Sequence, residues 1–395
     1  MAIVTNVTNV ATRWLRVGSS SLTDAFAAGS AAAKAAVGGA TDPKLVIVFA
    51  SHRYAPQSLL DGIGQVTGDA PLIGCSTAGE IAASGPTDHG VVVIALGGRG
   101  FSARSASAIT TEGKLREASA RVAESVHGLD GAYKALLLLS DGLGGDQEEV
   151  VRGAYSVVGA SIPLVGGCAG DDLKMKQTLQ FHGREVLRNA IVGAAISSDA
   201  PIGIGVRHGW RRVGDAMLVT ASSDNHVYAL DDKPALDTYL DKLNVQGAAR
   251  TDPAAFTQFA ITHPLGINRR SGEQVRFVAG ANFDDRSLSC IANVPQGGLA
   301  WFMEGDENSV LEATDAACAD AITALGGREP IGLVAFDCIA RRGVLGQSGI
   351  VEEVERISSH AQGAPVAGFY TYGEIARTSG MSGFHNQTLV VLALS

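Results

Sequence analysis

Three carboxylates recur at matched places in this chain and are the residues best placed to do chemistry. Each stands nine residues after a proline, with a glycine three residues after that proline, in the segments PLIGCSTAGEI, PLVGGCAGDDL and PVAGFYTYGEI. The carboxylates are Glu80, Asp172 and Glu374. A carboxylate can pair with a ligand amine while nearby backbone N–H groups bind a ligand carboxylate, which suits an amino acid or a similar zwitterion. The structural alternative is a loop cap or an ion pair that holds each repeat together.

Aromatic rings and hydroxyl groups beside these carboxylates add apolar contact surface together with hydrogen-bonding groups. The third segment supplies the strongest set of candidate ligand-binding residues, namely Glu374, Tyr370, Thr371 and Tyr372. The first segment supplies Glu80, Ser76 and Thr77. Further candidates are Asp172, His385, Asn386 and Asn268.

A histidine follows each carboxylate, and the three are His89, His182 and His385. Histidine with carboxylates can bind a metal, but each pair belongs to a different segment, so no metal site is predicted. A histidine is also a common axial ligand of haem, so haem binding is a second alternative. The chain has nine histidines and the residues single out none of them as an axial ligand.

Two cysteines in glycine-rich segments, Cys75 and Cys168, raise the question of a thiol nucleophile. They are out of register with each other by one position, and the third segment has no cysteine there. The five cysteines of the chain form no CxxC pair, which is typical of a reducing compartment. We therefore expect no catalytic residue and no enzyme, with cysteine-dependent catalysis kept as an alternative.

Each carboxylate segment sits in a larger repeated unit. A continuous apolar run, typical of a strand buried on both faces, precedes each proline: LVIVFAS, LLLLSDG and GLVAFDC. Amphipathic helical stretches lie between run and proline, at Gln57–Val66, Glu148–Val158 and Val351–His360. Alanine-rich helices come earlier, at Leu22–Val37, Gly113–Val126 and Ser309–Leu325, each after a strand-like segment: Trp14–Ser20, Phe101–Ser107 and Leu299–Glu304.

The fold class predicted by this pattern is α/β, with repeated β-α-β-α-β-β units that form two related lobes of mixed sheets flanked by helices. The units cover 14–98, 101–196 and 298–395. The segment 200–297 differs in texture, and a decayed fourth copy is one interpretation of it. We place the first lobe, with two clear repeats, at 1–220, and the second, with the divergent segment and the third repeat, at 221–395.

The composition and charge of the chain argue against some classes of function. The chain has 395 residues, 46% of them hydrophobic, and a net charge of −9 without any basic run, which argues against a nucleic-acid partner. The N-terminus lacks the pattern of a signal peptide, and the apolar runs fall short of the roughly 20 residues that a spanning helix needs. We therefore expect a cytoplasmic protein without membrane insertion.

Several motifs, in order along nearly the whole chain, resemble one family. LVIVFASHRY with PLIGCSTAGEI resembles the N-terminal part of the FIST family, and GWRRVGDAMLVT through HVYALDDKPALDTYL resembles its continuation. In the C-terminal part, HPLGI, VRFVAGANFDD, GFYTYGEIA and FHNQTLVVLAL resemble the second half of the family.

This resemblance implies an intracellular signal-transduction sensor that binds a small ligand, an amino acid or similar, between or within its lobes. Because the repeats occupy the chain, we expect it to act on a separate signalling protein such as a histidine kinase. Some members resemble haem-containing nitric-oxide sensors that regulate a histidine kinase, so the resemblance makes haem b the alternative ligand. It assigns no axial histidine in this sequence.

Overall fold

A computed structural model describes residues 13–40, 42–111, 113–269, 272–378, 380 and 383–395. The N-terminal segment on which the signal-peptide expectation rests lies largely outside these residues. The first repeat consists of β1 (Trp14–Ser20), α1 (Ala25–Val37), β2 (Pro43–Ser51), α2 (Pro56–Thr67), β3 (Leu72–Thr77), β4 (Glu80–Ala82), β5 (Gly85–Thr87) and β6 (Val91–Gly97).

The second repeat has the same order of elements. It consists of β7 (Phe101–Ile109), α3 (Leu115–Ala123), β8 (Tyr133–Ser140), α4 (Gln147–Val158), β9 (Leu164–Cys168), β10 (Gln180–His182), β11 (Glu185–Leu187) and β12 (Ala190–Ser198). A short 3₁₀ turn at Glu124–Val126 ends α3. The short hairpin before the last strand, β4–β5 in the first repeat and β10–β11 in the second, adds two strands to the unit predicted from the sequence.

The third repeat is divided by a long insertion. It begins with β13 (Ile202–Arg207). After the insertion it continues with α7 (Glu307–Thr323), β22 (Gly332–Cys338), α8 (Ile339–His360), β23 (Val366–Thr371), β24 (Glu374–Arg377), β25 (Phe384–His385) and β26 (Leu389–Leu394).

The insertion forms a sheet of its own with two helices. Its elements are β14 (Arg211–Ser223), β15 (His226–Leu230), β16 (Lys233–Pro234), α5 (Ala235–Lys242), α6 (Pro253–Ala260), β17 (Leu265–Arg269), β18 (Gly272–Arg276), β19 (Val278–Asn282), β20 (Ser287–Cys290) and β21 (Leu299–Glu304). A 3₁₀ turn at Gly247–Arg250 precedes α6. We call this unit the inserted sheet.

Each repeat builds a six-stranded mixed sheet on a parallel pair, β2 with β3, β8 with β9, and β22 with β23. In each repeat the last strand pairs antiparallel with two strands, the strand of the central apolar run and the first strand of the repeat. In the third repeat that first strand is β13. The apolar runs that predicted these central strands are buried along their length. The predicted mixed α/β class is confirmed.

The repeats are joined by an exchange of hairpins. The β4–β5 hairpin of the first repeat pairs with β23 of the third, β10–β11 of the second pairs with β3 of the first, and β24–β25 of the third pairs with β9 of the second. The three exchanges form a closed cycle. Side chains of all three repeats also share one core, in which the rings of Phe49 and Phe369 lie 4.5 Å apart.

The prediction that Leu299–Glu304 opens the third repeat is wrong. That segment is β21, which pairs with β14 and β17 in the inserted sheet. The first strand of the third repeat is Ile202–Arg207, which pairs antiparallel with β26 as β1 pairs with β6. The insertion therefore separates this strand from α7, the helix that follows it in the other repeats.

The interpretation of 200–297 as a decayed fourth copy is also wrong. Among the residues that the structure describes, the inserted sheet has eight strands that all pair antiparallel, without the parallel pair that defines each repeat. Strand β14 crosses the predicted lobe boundary at 220/221, so the two-lobe division stays a prediction.

Helix starts follow ordinary capping rules. The side chains of Asp24, Asp146 and Asp306 accept backbone N–H groups at the starts of α1, α4 and α7. Among the described residues, no helix is both long and apolar enough to cross a membrane.

Candidate functional site

The carboxylate of Glu80 is buried inside its own repeat. It accepts hydrogen bonds from Thr77 Oγ1 at 2.5 Å, from Thr87 Oγ1 at 2.9 Å and from the backbone N–H of Gly90 at 2.8 Å. Burial raises the pKa of Glu80 to about 7 against the lowering effect of these donors. The loop after β3 is thereby tied to the start of β6.

Glu374 does the same in the third repeat. It accepts a hydrogen bond from Thr371 Oγ1 at 2.5 Å and one from the backbone N–H of Thr388 at 3.1 Å. Its side chain is fully buried, and burial raises its pKa to about 8. The geometry therefore favours the structural alternative for Glu80 and Glu374, and ligand contact at either stays a prediction.

Asp172, the equivalent residue of the second repeat, turns outward instead. Ala169 stands where the other repeats have threonine, so the carboxylate has no hydroxyl donor at that position. Asp172 adopts a left-handed backbone conformation, with φ of 55°. Its Oδ2 lies 3.0 Å from Nδ1 of His52, which follows β2 of the first repeat.

Further polar groups gather around this pair. Lys174 Nζ lies 2.5 Å from His52 Nε2. Arg342, from α8 of the third repeat, forms an ion pair with Asp88 and lies over the ring of Tyr370 at 4.9 Å from its centroid. We call His52, Asp88, Asp172, Lys174 and Arg342 the loop cluster, in which all three repeats take part.

The loop that carries Asp172 and Lys174 is held in shape by Asp171. This carboxylate accepts the backbone N–H groups of Met175, Lys176 and Gln177 at 2.7–3.0 Å. It also accepts the hydroxyl of Tyr372 at 2.6 Å. Tyr372, a sequence candidate for ligand contact, thus positions this loop.

The other predicted residues are scattered. Ser76 is buried and donates to Gly170 O at 2.8 Å, and the Tyr370 hydroxyl is buried without a hydrogen-bond partner. His385 Nε2 lies 2.9 Å from Ala376 O, and burial lowers the pKa of His385 to about 4. Asn386 is buried with Oδ1 unpaired, whereas Asn268 lies exposed on the inserted sheet.

The five thiols are all buried. Burial raises the pKa of each, to about 12 for Cys168, Cys290 and Cys318. Because the thiolate is the nucleophile, none of them is activated at neutral pH. This environment gives the cysteine-dependent alternative no support.

A cleft lies where the second repeat meets the inserted sheet. Its volume is about 390 Å³, and its lining consists of Gly145, Asp146, Asp224, Asn225, Ile291, Ala292 and Asn293. The first two residues precede α4, the next two form the β14–β15 turn, and the last three follow β20. We call it the α4 cleft. On the other side of Gly145 and Asp146 lies a second cleft of about 440 Å³.

Charged side chains lie behind the wall of the α4 cleft that Asn293 forms. Arg276 Nε donates to the carbonyl of Asn293 at 3.1 Å, and its Nη2 lies 3.3 Å from Glu148 of α4. Arg269 Nη2 lies 3.3 Å from the same carbonyl, while its Nε has no hydrogen-bond partner. Two guanidinium groups thus face one carboxylate, and burial lowers the pKa of Arg276 to about 10.

A haem iron needs an axial ligand, and a metal ion needs several donor groups close together. Three cavities, the two clefts and one of about 260 Å³ beside α8, have no histidine in their lining. They therefore do not offer haem an axial ligand. Within the described parts of the chain, no cluster of three or more histidine, cysteine or acidic residues is arranged to hold a metal ion.

Sequence reasoning missed both His52 and the α4 cleft. His52 follows directly after the apolar run of β2, where the carboxyl ends of parallel strands meet, so this position was a usable signal. Asp146 and Asn225 look like an ordinary helix cap and turn residue. Only the packing of the inserted sheet against α4 shows that they share a cleft.

We expect Glu374→Gln to weaken the pH dependence of folding stability. Glu80 and Glu374 have pKa values raised by burial to about 7 and about 8, so the folded chain binds these protons more tightly than the unfolded chain, where a glutamate titrates near about 4.3. The stability they contribute is complete at low pH and is lost as the pH rises through these values. Urea unfolding at about pH 6 and about pH 8 should show a smaller loss in the variant than in the parent chain.

Glu117→Gln, on the exposed face of α3, is the matched control and should keep the parent's pH dependence. An identical loss in all three proteins would show that Glu374 is ionised in the folded chain.

Two curated relatives are described as uncharacterized proteins. A protein of Methanocaldococcus jannaschii is 24% identical over 257 residues, covering 58% of this chain and 48% of the relative. A protein of Mycobacterium tuberculosis H37Rv is 23% identical over 231 residues, covering 57% of this chain and 59% of the relative. The chain thus spans about half the length of the curated relatives it matches.

Two solved structures show distant similarity. A chorismatase covers 97% of this chain and 98% of its own, with 10% identity and a TM-score of 0.38. A cyanuric acid hydrolase from A. caulinodans covers 47% of this chain and 71% of its own, with 11% identity and a TM-score of 0.28. Neither similarity is close enough to indicate a function.

Family models match most of the sequence. The FIST N domain matches residues 44–233, and the FIST C domain matches residues 235–377. The resemblance of the sequence motifs is thereby confirmed. FIST domains are generally sensory domains for small ligands in signal transduction. The chain belongs to the FIST family, with an N-terminal and a C-terminal FIST domain in succession.

Proposed function

We propose that this chain is a signal-transduction sensor that binds an amino-acid-like ligand in the α4 cleft and acts on a separate partner protein. The observation that carries the proposal is the cleft itself, because it combines a ligand-sized volume with two carboxylates, two amides, and two guanidinium groups behind one wall. A volume of about 390 Å³ falls in the range of about 300–1,000 Å³ that is usual for small-molecule sites.

The lining suits a zwitterion. Asp146 and Asp224 line the cleft, and their carboxylates would accept hydrogen bonds from a ligand ammonium group, Asp146 through the oxygen that does not cap α4. The amides of Asn225 and Asn293, backed by the partly unpaired guanidinium of Arg269, would bind a ligand carboxylate. Ile291 and Ala292 supply apolar surface for a side chain.

The position of the cleft supports a sensory role. Its walls come from α4 of the second repeat and from the inserted sheet, so a ligand that contacts both would favour one arrangement of these units. The resulting shift cannot exceed the ligand's differential affinity for the two arrangements. A partner such as a histidine kinase would respond to that shift.

Haem b as the sensed ligand has the family resemblance as its support. The three described cavities lack a histidine, so the α4 cleft and an amino-acid-like ligand are the better match to these residues. Non-catalytic action is likewise part of the proposal, supported by the buried, unactivated thiols.

The proposal predicts a melting-temperature shift with amino acids that is reduced by half or more in the double variant Asp146→Asn, Asp224→Asn. A ligand at about 100 times its Kd adds about 2.7 kcal/mol to the unfolding free energy, which a thermal-shift screen detects readily. Asparagine still caps a helix and tolerates the left-handed conformation at position 224, where φ is 51°. The variant should therefore fold, while losing the ammonium contacts should weaken binding by roughly tenfold or more, about 1.4 kcal/mol.

Asp24→Asn makes the same change at the N-cap of α1, far from the cleft, and should leave the shift unchanged. Haem is included in the screen as the competing ligand. A shift from haem alone, or an amino-acid shift that the double variant keeps, would place the ligand elsewhere and refute the proposal.

A further inference from the structure

The geometry points to Lys174 as a nucleophilic amine that captures a small anionic aldehyde or α-keto acid as a reversible imine. This reactive site goes beyond the proposed sensing at the α4 cleft and does not depend on it. It rests on the order of groups Asp172, His52 and Lys174 within the loop cluster.

These three side chains lie in a row, which we call the relay. Asp172 Oδ2 lies 3.0 Å from His52 Nδ1. Within the described part of the chain, His52 Nδ1 has no hydrogen-bond partner, so Asp172 acts on the ring through its charge. An ammonium group can only donate a hydrogen bond, so Nε2 of the neutral ring accepts from Lys174 and Nδ1 carries the ring proton. That Nε2 atom lies 2.5 Å from Lys174 Nζ. The imidazole is thus a base in contact with the lysine amine.

The arrangement matches the general logic of an activated nucleophile. A nucleophile is activated by a base within hydrogen-bond reach, and a third group orients the base and stabilises its charged form. Here Lys174 is the nucleophile, His52 is the base, and Asp172 is the carboxylate whose charge stabilises the protonated ring. The side chains of His52 and Asp172 are 17% and 23% exposed, so the relay is partly shielded from water.

The loop holds Lys174 ready without burying it. Three residues around it, Asp172, Leu173 and Met175, have left-handed backbone conformations with φ of 51–58°. The Asp171 carboxylate fixes this turn through three backbone N–H groups. Lys174 and Lys176 are both exposed, so a dissolved carbonyl compound can reach them, and their charge favours an anionic one.

The step balances without an oxidant or a reductant. The Lys174 ammonium gives a proton to His52 Nε2, and the amine lone pair forms a bond to the carbonyl carbon while the C=O π electrons move to oxygen. The oxygen takes up a proton from the nitrogen of this adduct, which gives a neutral carbinolamine. His52 then returns its proton to the hydroxyl, which leaves as water as the C=N bond forms. Ammonium plus carbonyl gives protonated imine plus water.

The test is site-resolved labelling of the full chain. Glyoxylate with sodium cyanoborohydride converts each imine into a stable secondary amine, which peptide mass spectrometry locates. General base catalysis contributes about 10²–10⁴-fold, so we expect Lys174 to be labelled at least about tenfold faster than Lys176. Lys176 is the internal control, because it lies on the same exposed loop outside the relay.

Variants separate the relay from simple exposure. His52→Ala should lower the labelling rate of Lys174 to that of Lys176 and leave Lys176 unchanged, and Lys174→Arg should remove the fast site. Equal rates at Lys174 and Lys176 in the unmodified chain would overturn the proposal without any variant. A fast Lys174 in a folded His52→Ala chain would overturn the role of the relay.

Discussion

Replacing Arg341 with methionine is expected to lower the free energy of unfolding by about 3–5 kcal/mol, the cost of leaving a buried charged partner uncompensated. The Arg341 side chain is fully buried between two carboxylates. Its Nε donates to Asp337 at 2.7 Å, and its Nη2 donates to Glu353 at 2.5 Å and to Thr314 at 2.9 Å. Urea unfolding of the variant and the parent chain measures the difference.

The position of this network explains why its loss should be large. Helix α8 is broken at Gly346, where φ is 63° and ψ is −169°. Arg341 lies before the break and Glu353 lies after it, so their ion pair joins the two halves of the helix. Asp337 lies in β22, so its ion pair with Arg341 joins the first half to the sheet. Arg342, which belongs to the loop cluster, follows Arg341 directly.

The same network predicts how the loss depends on pH. Burial and the charge of Glu353 raise the pKa of Asp337, while Arg341 opposes this rise. Without Arg341 the carboxyl of Asp337 would need to be protonated in the folded chain, which costs more as the pH rises. The loss in Arg341→Met should therefore be larger at about pH 8 than at about pH 6.

Arg356→Met is the matched control. Arg356 pairs with Glu352 and Asp315 on a partly exposed surface, where an ion pair contributes about 0–1 kcal/mol. If Arg341→Met costs no more than Arg356→Met, the buried network is not what holds the two halves of α8.

Local pattern was sufficient to predict the repeats and their central strands. Continuous apolar runs produce strands buried on both faces, and each matched proline–glycine segment produces a parallel neighbour. The hairpin exchange could not be predicted in this way. Strands of two to four residues, such as β4 and β25, carry too little pattern to identify a partner in another repeat.

The misplaced first strand of the third repeat has a similar cause. Leu299–Glu304 has the composition of a buried strand and directly precedes α7, so sequence proximity favoured it. The true strand, Ile202–Arg207, pairs with β26 across an insertion of about a hundred residues. Pairing across such a distance leaves no local trace in the sequence.

The recurrence of the carboxylates in the repeats reflects the fold rather than a function. Glu80 and Glu374 recur because each ties a loop to the next strand through a threonine hydroxyl and a backbone N–H. The informative position is the departure from the pattern, where Ala169 replaces threonine and Asp172 turns outward to His52. In a repeated chain, the copy that loses a structural contact is the one free to take up another role.

Gly166→Ala is expected to be the most damaging single-methyl change in the repeated segments, with a loss on the order of 3 kcal/mol or more. Gly74, Gly166 and Gly368 occupy equivalent places in β3, β9 and β23. A Cβ atom built on Gly166 would lie 1.9 Å from the carbonyl oxygen of Leu138, its neighbour in the parallel pair, and φ is 144°. Neither the contact nor the backbone conformation suits an alanine.

The equivalent glycines of the other two repeats give the expected order of stability among the alanine variants. A Cβ atom would lie 2.1 Å from Ala335 O at Gly368 and 2.4 Å from Val48 O at Gly74, without a left-handed φ at either. Gly280→Ala, in β19 of the inserted sheet, meets no atom within 4 Å and should change stability little. Thermal unfolding of the four variants should therefore rank Gly166 below both of its copies, and those below Gly280. A Gly166→Ala chain as stable as Gly280→Ala would mean that β8 and β9 are not paired as described, and with them the frame that places Asp172 beside His52.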